Sequence, residues 1–254
     1  MVKTIIRACP ALYFTPSGEG NAILDIAENF CDTVQGENFS GYPAVFLRLQ
    51  HCTLNCTWCD TTEVWRKGNP YSIKELLDLW EQQGVIDRLL HRHRLVVTGG
   101  SPLRQQPSLI QLFKLFESRF GFIPYIEVEN EVVLVPDPGL SIFIKHWNNS
   151  PKLSNSGMRR EVRYKPEVIK IMGSLPNSTF KFVMNELQAD WEEIQVDFLD
   201  KGLINIESIV LMPEGSNRVA LQSRYKDLVE LCCEKGVRMC DRLQVTIFDK
   251  TVGV

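Results

Sequence analysis

Three of the eight cysteines in this chain fall within one short stretch, at Cys52, Cys56 and Cys59, with the spacing C-x3-C-x2-C. A tight loop carrying three thiolates can hold three corners of a cubane iron–sulfur cluster. A four-iron cluster ordinarily takes four cysteines. Three would leave one iron open to a small molecule, by the logic that separates catalytic from structural zinc sites. Two other chemistries suit the same residues. A structural zinc site would take Cys31 or His51 as its fourth ligand, whereas a redox pair of Cys56 and Cys59 would leave Cys52 without a role. The remaining cysteines, Cys9, Cys31, Cys232, Cys233 and Cys240, read as small buried hydrophobes.

The chain that must position this loop has 254 residues, 44% hydrophobic and 23% charged. Those values describe an ordinary globular protein, here a single domain over 1–254 with residues 1–20 as an N-terminal arm or hairpin. With 28 Lys and Arg against 31 Asp and Glu, the net charge is −3. Gross basicity is thus excluded as a reason to expect nucleic-acid binding. No apolar run is long enough to span a bilayer. The stretch after Lys3 is broken at once by Arg7, which argues against a signal peptide. The expected location is the cytoplasm, where eight cysteines do not form a disulfide framework.

Apolar runs rich in Val, Ile and Phe predict about seven strands, over 44–49, 95–98, 123–128, 140–145, 179–184, 209–212 and 243–248. Helical patterns lie between most of them. A capping box from Ser72 to Glu75 opens a helix over 73–83. Leu109, Leu112, Phe113, Phe116 and Phe120 form a second stripe, and Trp191, Ile194 and Phe198 a third. A fourth helix runs from Ser223 to Gly236, and 148–157 reads as a loop. Strand–helix alternation implies an α/β fold with a mainly parallel sheet. About seven strands favour an incomplete (β/α) TIM-like barrel over the eight-unit form. The unusual polar and glycine-rich motifs follow strands: the cysteine loop, Gly99 and Gly100, the Glu127–Asn130 segment, Ser150 to Lys152, and Pro213 to Gly215. In a parallel sheet those positions share one rim.

The cysteine spacing, with Trp58 before the last thiol, resembles the radical S-adenosylmethionine (SAM) superfamily. The flanking residues resemble its 7-carboxy-7-deazaguanine synthase family. These are Val34, Gln35, Gly36 and Glu37, then Pro43 to Leu49, then Cys59, Asp60 and Thr61. Thr98 to Leu103, Ser150 to Lys152 and Arg242 to Val245 extend the likeness. The resemblance implies a lyase that converts 6-carboxy-5,6,7,8-tetrahydropterin to 7-carboxy-7-deazaguanine with loss of ammonia, using a 4Fe-4S cluster, SAM and Mg2+. It implies a reducing protein such as flavodoxin or ferredoxin as partner, a homodimer, and no nucleic-acid or membrane partner. The same scaffold with another substrate, such as a glycyl-radical activating enzyme, is the nearest alternative. A non-catalytic zinc-stabilised binding module is the alternative of another class.

Carried over residue by residue, the resemblance makes Cys52, Cys56 and Cys59 the cluster ligands and Thr61 the magnesium ligand. Mg2+ prefers oxygen and keeps several waters; Thr61 could equally cap the following helix. Trp58, Gly99, Gly100, Ser150, Pro151 and Lys152 would line the SAM pocket. Met212, Pro213 and Glu214 would close its adenine side. Val34, Gln35, Gly36, Glu37, Arg48, Thr98 and the carboxyl-terminal Val254 would contact the pterin. A carboxylate suits an aminopyrimidine edge and an arginine a substrate carboxylate. Read without the resemblance, Arg48 is a structural ion pair, Glu37 a solvated loop residue, the glycines a plain turn, and Ser150 to Lys152 a surface loop. Three departures stand out. Asn38 follows Glu37 where the family has glycine. Ser101 stands where the family has a glutamate after its two glycines. The tail after Val245 lacks the usual histidine or tryptophan.

Overall fold

A computed structural model describes residues 4–6 and 22–249. Of the proposed 1–20 arm only 4–6 is included; Cys9 and Val254 lie outside the described residues. The strands are β1 (Thr4–Ile6), β2 (Ile23–Val34), β3 (Pro43–Leu49), β4 (Asn69–Ser72) and β5 (Arg94–Gly99). They continue with β6 (Ile126–Asn130), β7 (Ile144–Asn149), β8 (Ser178–Met184), β9 (Ile209–Pro213) and β10 (Arg238–Met239). All belong to one sheet in the order β1-β2-β3-β5-β6-β7-β8-β9-β10, with β4 also on β2. From β3 through β10 every neighbouring pair on this path is parallel, whereas β2 runs antiparallel to β1, β3 and β4. Among the described residues nothing pairs β10 back to β1, so the α/β barrel is incomplete, as expected.

Period-two alternation sorts each strand between two environments. Leu47, Val97, Val128, Phe182 and Leu211 turn outward. There they join Trp80, Phe113, Phe116, Trp191 and Leu228 of the surrounding helices in one hydrophobic core. Helix Ile73–Gln82 begins at the predicted capping box, with Ser72 and Glu75 each satisfying the other's backbone. Helix Gln106–Phe120 carries the second predicted stripe. The third lies on Leu187–Ile194 and the π-helical turn Gln195–Leu199 that continues it. Among the described residues no helix is long and apolar enough to cross a membrane.

Several expected elements are corrected. Residues 243–248 form a helix, Leu243–Phe248, not a strand. The edge beside β9 is already taken by β10, and Thr246 N donates to Arg242 O at 3.0 Å instead of to a ladder. The strand expected at 140–145 begins later, at Ile144. Asp137 caps the short helix Pro138–Ser141, accepting from Gly139 N at 2.6 Å, and this turn consumes its first residues. The strand expected at 123–128 starts at Ile126, beyond Pro124, and Asn148 and Asn149 belong to β7 rather than a loop. The last long helix starts at Arg218, five residues before Ser223, because Asn217 accepts from Ala220 N at 3.0 Å. Strand β2 escapes a search for apolar runs because Asp25, Glu28 and Asn29 interrupt it. Cys233 is exposed, unlike the buried Cys31, Cys232 and Cys240.

Candidate active site

One cavity of about 590 Å3 opens at the carboxyl ends of the parallel strands. Cys52, Cys56 and Cys59 line it from the loop after β3, with Trp58 and Thr61 beside them. Thr98, Gly99 and Gly100 enter from β5, Ser150 and Lys152 from the end of β7, and Met212 from β9. Glu37 and Arg48 complete the predicted residues that reach it. The convergence follows from register: Arg48 pairs with Thr98, and Leu49 with Gly99, across β3 and β5.

The cysteine loop is held from three sides. Thr57 N donates to Ser156 O at 3.0 Å, and Trp58 Nε1 to Asn155 Oδ1 at 3.2 Å. Arg242 pairs with Asp60 and donates to Gly215 O at 2.7 Å, tying the loop to the carboxyl-terminal segment. The third support is the glycine turn. A Cβ on Gly99 would lie 2.2 Å from Leu49 O, and one on Gly100 2.1 Å from His51 O. These glycines are therefore demanded first by backbone crossing at the root of the cysteine loop.

Burial pushes the Cys52 and Cys56 thiols above their ordinary range. Burial acts on Cys59 too, but hydrogen bonds from Thr62 and Thr61 outweigh it and hold that thiol below. Thr61 precedes the helix Thr62–Trp65 without a side-chain cap bond, which leaves its hydroxyl to the cavity, 3.7 Å from Cys59 Sγ. Among the described residues no group of three or more His, Cys, Asp or Glu side chains could hold a single metal ion. Tetrahedral thiolates on one zinc would sit about 3.8 Å apart. Cys31 lies in the hydrophobic core and His51 beside Asp25 at 3.6 Å; neither lines the cavity. The zinc alternative thus lacks both of its proposed fourth ligands. Three thiols lining one wide cavity are a donor set suited to the larger cluster.

Beneath the cysteines the barrel interior is charged. Glu37 pairs with Lys181 and accepts from Asn148 Nδ2 at 2.5 Å. Burial alone would raise the Glu37 carboxyl; the Lys181 ammonium overcomes this and holds it below the usual range. Burial likewise works against the Lys181 charge, and Glu37 and Glu129 overcome it to keep the ammonium protonated above its usual range. Arg48 Nε donates to Glu28 at 2.9 Å, so the structural ion pair exists, and both partners face the cavity. Thr98 Oγ1 donates to Glu129 at 2.6 Å, and burial followed by the nearby Glu37 raises the Glu129 carboxyl. Lys152 donates to Ser150 O and Oγ, both at 2.7 Å, with its ammonium 5.6 Å from the Trp58 ring centroid.

Glu28, Glu129, Glu131 and Lys181 are cavity residues that sequence reasoning leaves unassigned. The available signal was a charge on the inward phase of an apolar strand, as in Phe180-Lys181-Phe182. Other predicted contacts stay outside the cavity wall. Pro213 pairs with Met184 inside the sheet, and Glu214 turns to Arg224 at 3.6 Å. Pro151 is buried behind the rim, Val34 ends β2 opposite Pro43, and Gly36 packs against Leu243. Gln35 is buried with neither end of its amide hydrogen-bonded.

Comparison with known proteins bears on this arrangement. No family model matches the chain. It is 27% identical over 224 residues to a 7-carboxy-7-deazaguanine synthase from Pyrobaculum aerophilum, covering 87% of this chain and 93% of that one. The protein of that name from Rhodopirellula baltica is 29% identical over 244 residues, covering 90% and 88%. The one from Escherichia coli is 34% identical over 143 residues, covering 49% and 60%. The crystal structure of QueE from Escherichia coli shares the fold, with a TM-score of 0.62 at 24% identity, over 87% of this chain and 94% of that chain.

Proposed function

We propose that this chain, which belongs with the 7-carboxy-7-deazaguanine synthases it aligns with over most of its length, is a lyase of that activity. It would convert 6-carboxy-5,6,7,8-tetrahydropterin to 7-carboxy-7-deazaguanine with loss of ammonia, in 7-deazapurine (queuosine-type) biosynthesis. The observation that carries the reading is the meeting, in one cavity, of three cysteine thiols and a lattice of buried carboxylates and cations. Cys52, Cys56 and Cys59 would hold three irons of a 4Fe-4S cluster. With SAM bound, that cluster would supply the reducing electron for radical chemistry, and the protein would bind, orient and shield.

Each residue then has a task set by its surroundings. Glu37, kept ionised by Lys181, can accept two hydrogen bonds from an aminopyrimidine edge. Arg48 uses its Nε on Glu28 and has its terminal nitrogens to offer a substrate carboxylate. Thr98 is oriented by Glu129. Trp58, Ser150, Lys152 and Met212 would wall the SAM pocket, and Thr61 would bring one oxygen to Mg2+. A polar heterocycle satisfies this lattice better than the peptide backbone a glycyl-radical activating enzyme handles. Residues 1–254 would act as one domain, as a homodimer in the cytoplasm, reduced by a flavodoxin or ferredoxin.

The test is anaerobic incubation of the reconstituted protein with SAM, dithionite and the carboxytetrahydropterin, followed by mass spectrometry. The deazaguanine should form. Stoichiometric zinc without labile sulfide in the isolated protein, and no product, would overturn the reading. Thr61→Val should weaken the magnesium dependence of turnover, and an unchanged Mg2+ titration would remove Thr61 from that role.

A further inference from the structure

Glu131 follows the last residue of β6 and lines the cavity, yet it is only 5% exposed. Its Oε1 accepts from Thr53 Oγ1 at 2.6 Å; its Oε2 has no hydrogen-bond partner. Lys152, a nearby cation, gives its hydrogen bonds to Ser150 instead. An unpartnered carboxylate oxygen in a buried site is costly unless a ligand brings a donor. The next residue, Val132, holds a φ of 62°, a conformation that β-branched side chains rarely adopt. Its N–H is satisfied by Asn130 Oδ1 at 2.9 Å, so the backbone that aims Glu131 is pinned in a strained turn.

The place of this carboxylate says which donor it meets. Thr53 adjoins Cys52, and Thr53 N donates to Ser101 Oγ at 2.8 Å. Ser101 is fully buried, and its Oγ lies 3.1 Å from Thr53 Oγ1 and 3.7 Å from Cys52 Sγ. One hydrogen-bonded cluster thus joins the first cysteine, the residue after the glycine turn, and Glu131. At position 101 the chain has a hydroxyl and no charge; the charge in that cluster comes from β6.

We propose that Glu131 is the carboxylate that receives the α-amino group of SAM, from β6 rather than from the turn after β5. This rests on the radical SAM reading above and goes beyond it by assigning a residue that the cysteine and glycine motifs do not contain. Glu131→Gln keeps an acceptor for Thr53 and removes the charge. Equilibrium binding to the anaerobically reconstituted protein is measured with two probes, SAM and methylthioadenosine, which keeps the adenosine and sulfur but lacks the amino-acid end.

Glu131→Gln should weaken SAM roughly 10- to 100-fold, as expected for a hydrogen bond to a charged group, and leave methylthioadenosine unchanged. The double variant Ser101→Glu/Glu131→Gln, which returns the charge from the neighbouring position, should recover SAM binding and the SAM-induced change in the electron paramagnetic resonance spectrum of the reduced cluster. Equal SAM affinity in the wild type and Glu131→Gln would overturn the assignment, as would equal losses for both probes, which would mark Glu131 as structural only. If Glu131→Gln takes up no cluster, the double variant decides: cluster uptake with SAM binding supports the assignment, and cluster uptake without it overturns it. A wild type that carries the cluster and binds no SAM would defeat the underlying reading as well.

Discussion

The two faces of β6 and β8 differ as much as two solvents. Outward, Ile126, Val128, Phe180 and Phe182 enter the helix-covered core, and the Phe182 ring lies 4.9 Å from that of Phe198. Inward, one residue away in each case, Glu127, Glu129 and Lys181 enter the barrel. Small barrels usually fill that interior with branched aliphatic side chains. Here charges occupy it, as the Glu37–Lys181 and Arg48–Glu28 pairs at the cavity and, elsewhere in the interior, as Glu127 beside the buried Arg94. The outer face supplies cohesion; the inner face carries polar groups at a cost and gains a site that can hold a polar ligand.

The sharpest way to separate these roles is at the rim. Cys56→Ala should abolish cluster assembly and SAM cleavage while the unfolding transition of the apoprotein stays nearly unchanged. Iron and sulfide analysis beside a urea titration measures both, and a collapsed transition would contradict the division of labour.

Neighbours in β8 test the two faces directly. Lys181→Met keeps the volume and strands Glu37 as a buried, unpaired charge, which should cost about 3–5 kcal/mol. The loss should shrink in Lys181→Met/Glu37→Gln, where both charges are gone. Phe182→Ala should also cost about 3–5 kcal/mol, as cavity formation, but no substitution at position 37 should restore it. Urea unfolding of the wild type, these three variants and Phe182→Ala/Glu37→Gln distinguishes the cases.

A smaller effect comes from the deeper interior. Glu127, 0% exposed, has its carboxyl pushed up to about 8, chiefly by burial. It stays protonated in the fold while its unfolded counterpart ionises, so its contribution makes stability fall as pH rises from about 4.5 to 8. His146 is pushed down to about 4 by burial and then by Arg94. Its contribution makes stability rise with pH from about 4 to 6.5. The two oppose each other below 6.5, and above it Glu127 acts without that opposition. Glu127→Gln should therefore flatten the decline between pH 6.5 and 8, worth up to about 1.4 kcal/mol per pH unit. Glu129, raised in the same sense, leaves a residual slope. Unfolding midpoints across that range measure it.

Much of the site was legible before any coordinates. Three thiols in eight residues, a glycine pair after a strand, and a serine-proline-lysine after another are local signals, and local signals survive in a linear text. The βα alternation was equally legible, because buried parallel strands are written as short apolar runs. Strand β2 was not, since the inward Glu28 and the partly exposed Asp25 break the run. Helix Leu243–Phe248 was not either: its Val, Ile and Phe suit a strand, and only the occupation of the β9 edge by Arg238–Met239 removed that choice.

The sequence by itself determined the clustering of the three cysteines, the class of fold and the end of the sheet at which the motifs collect. Tertiary structure decided the rest of the wall: that Lys181 answers Glu37 from a distance of 144 residues, that Arg242 grips Asp60, and that Glu131 stands where Ser101 brings no charge. The reason is physical. Coordination and capping depend on neighbours in the chain, whereas the pairing of buried charges depends on which strands lie side by side and on which phase of each faces in.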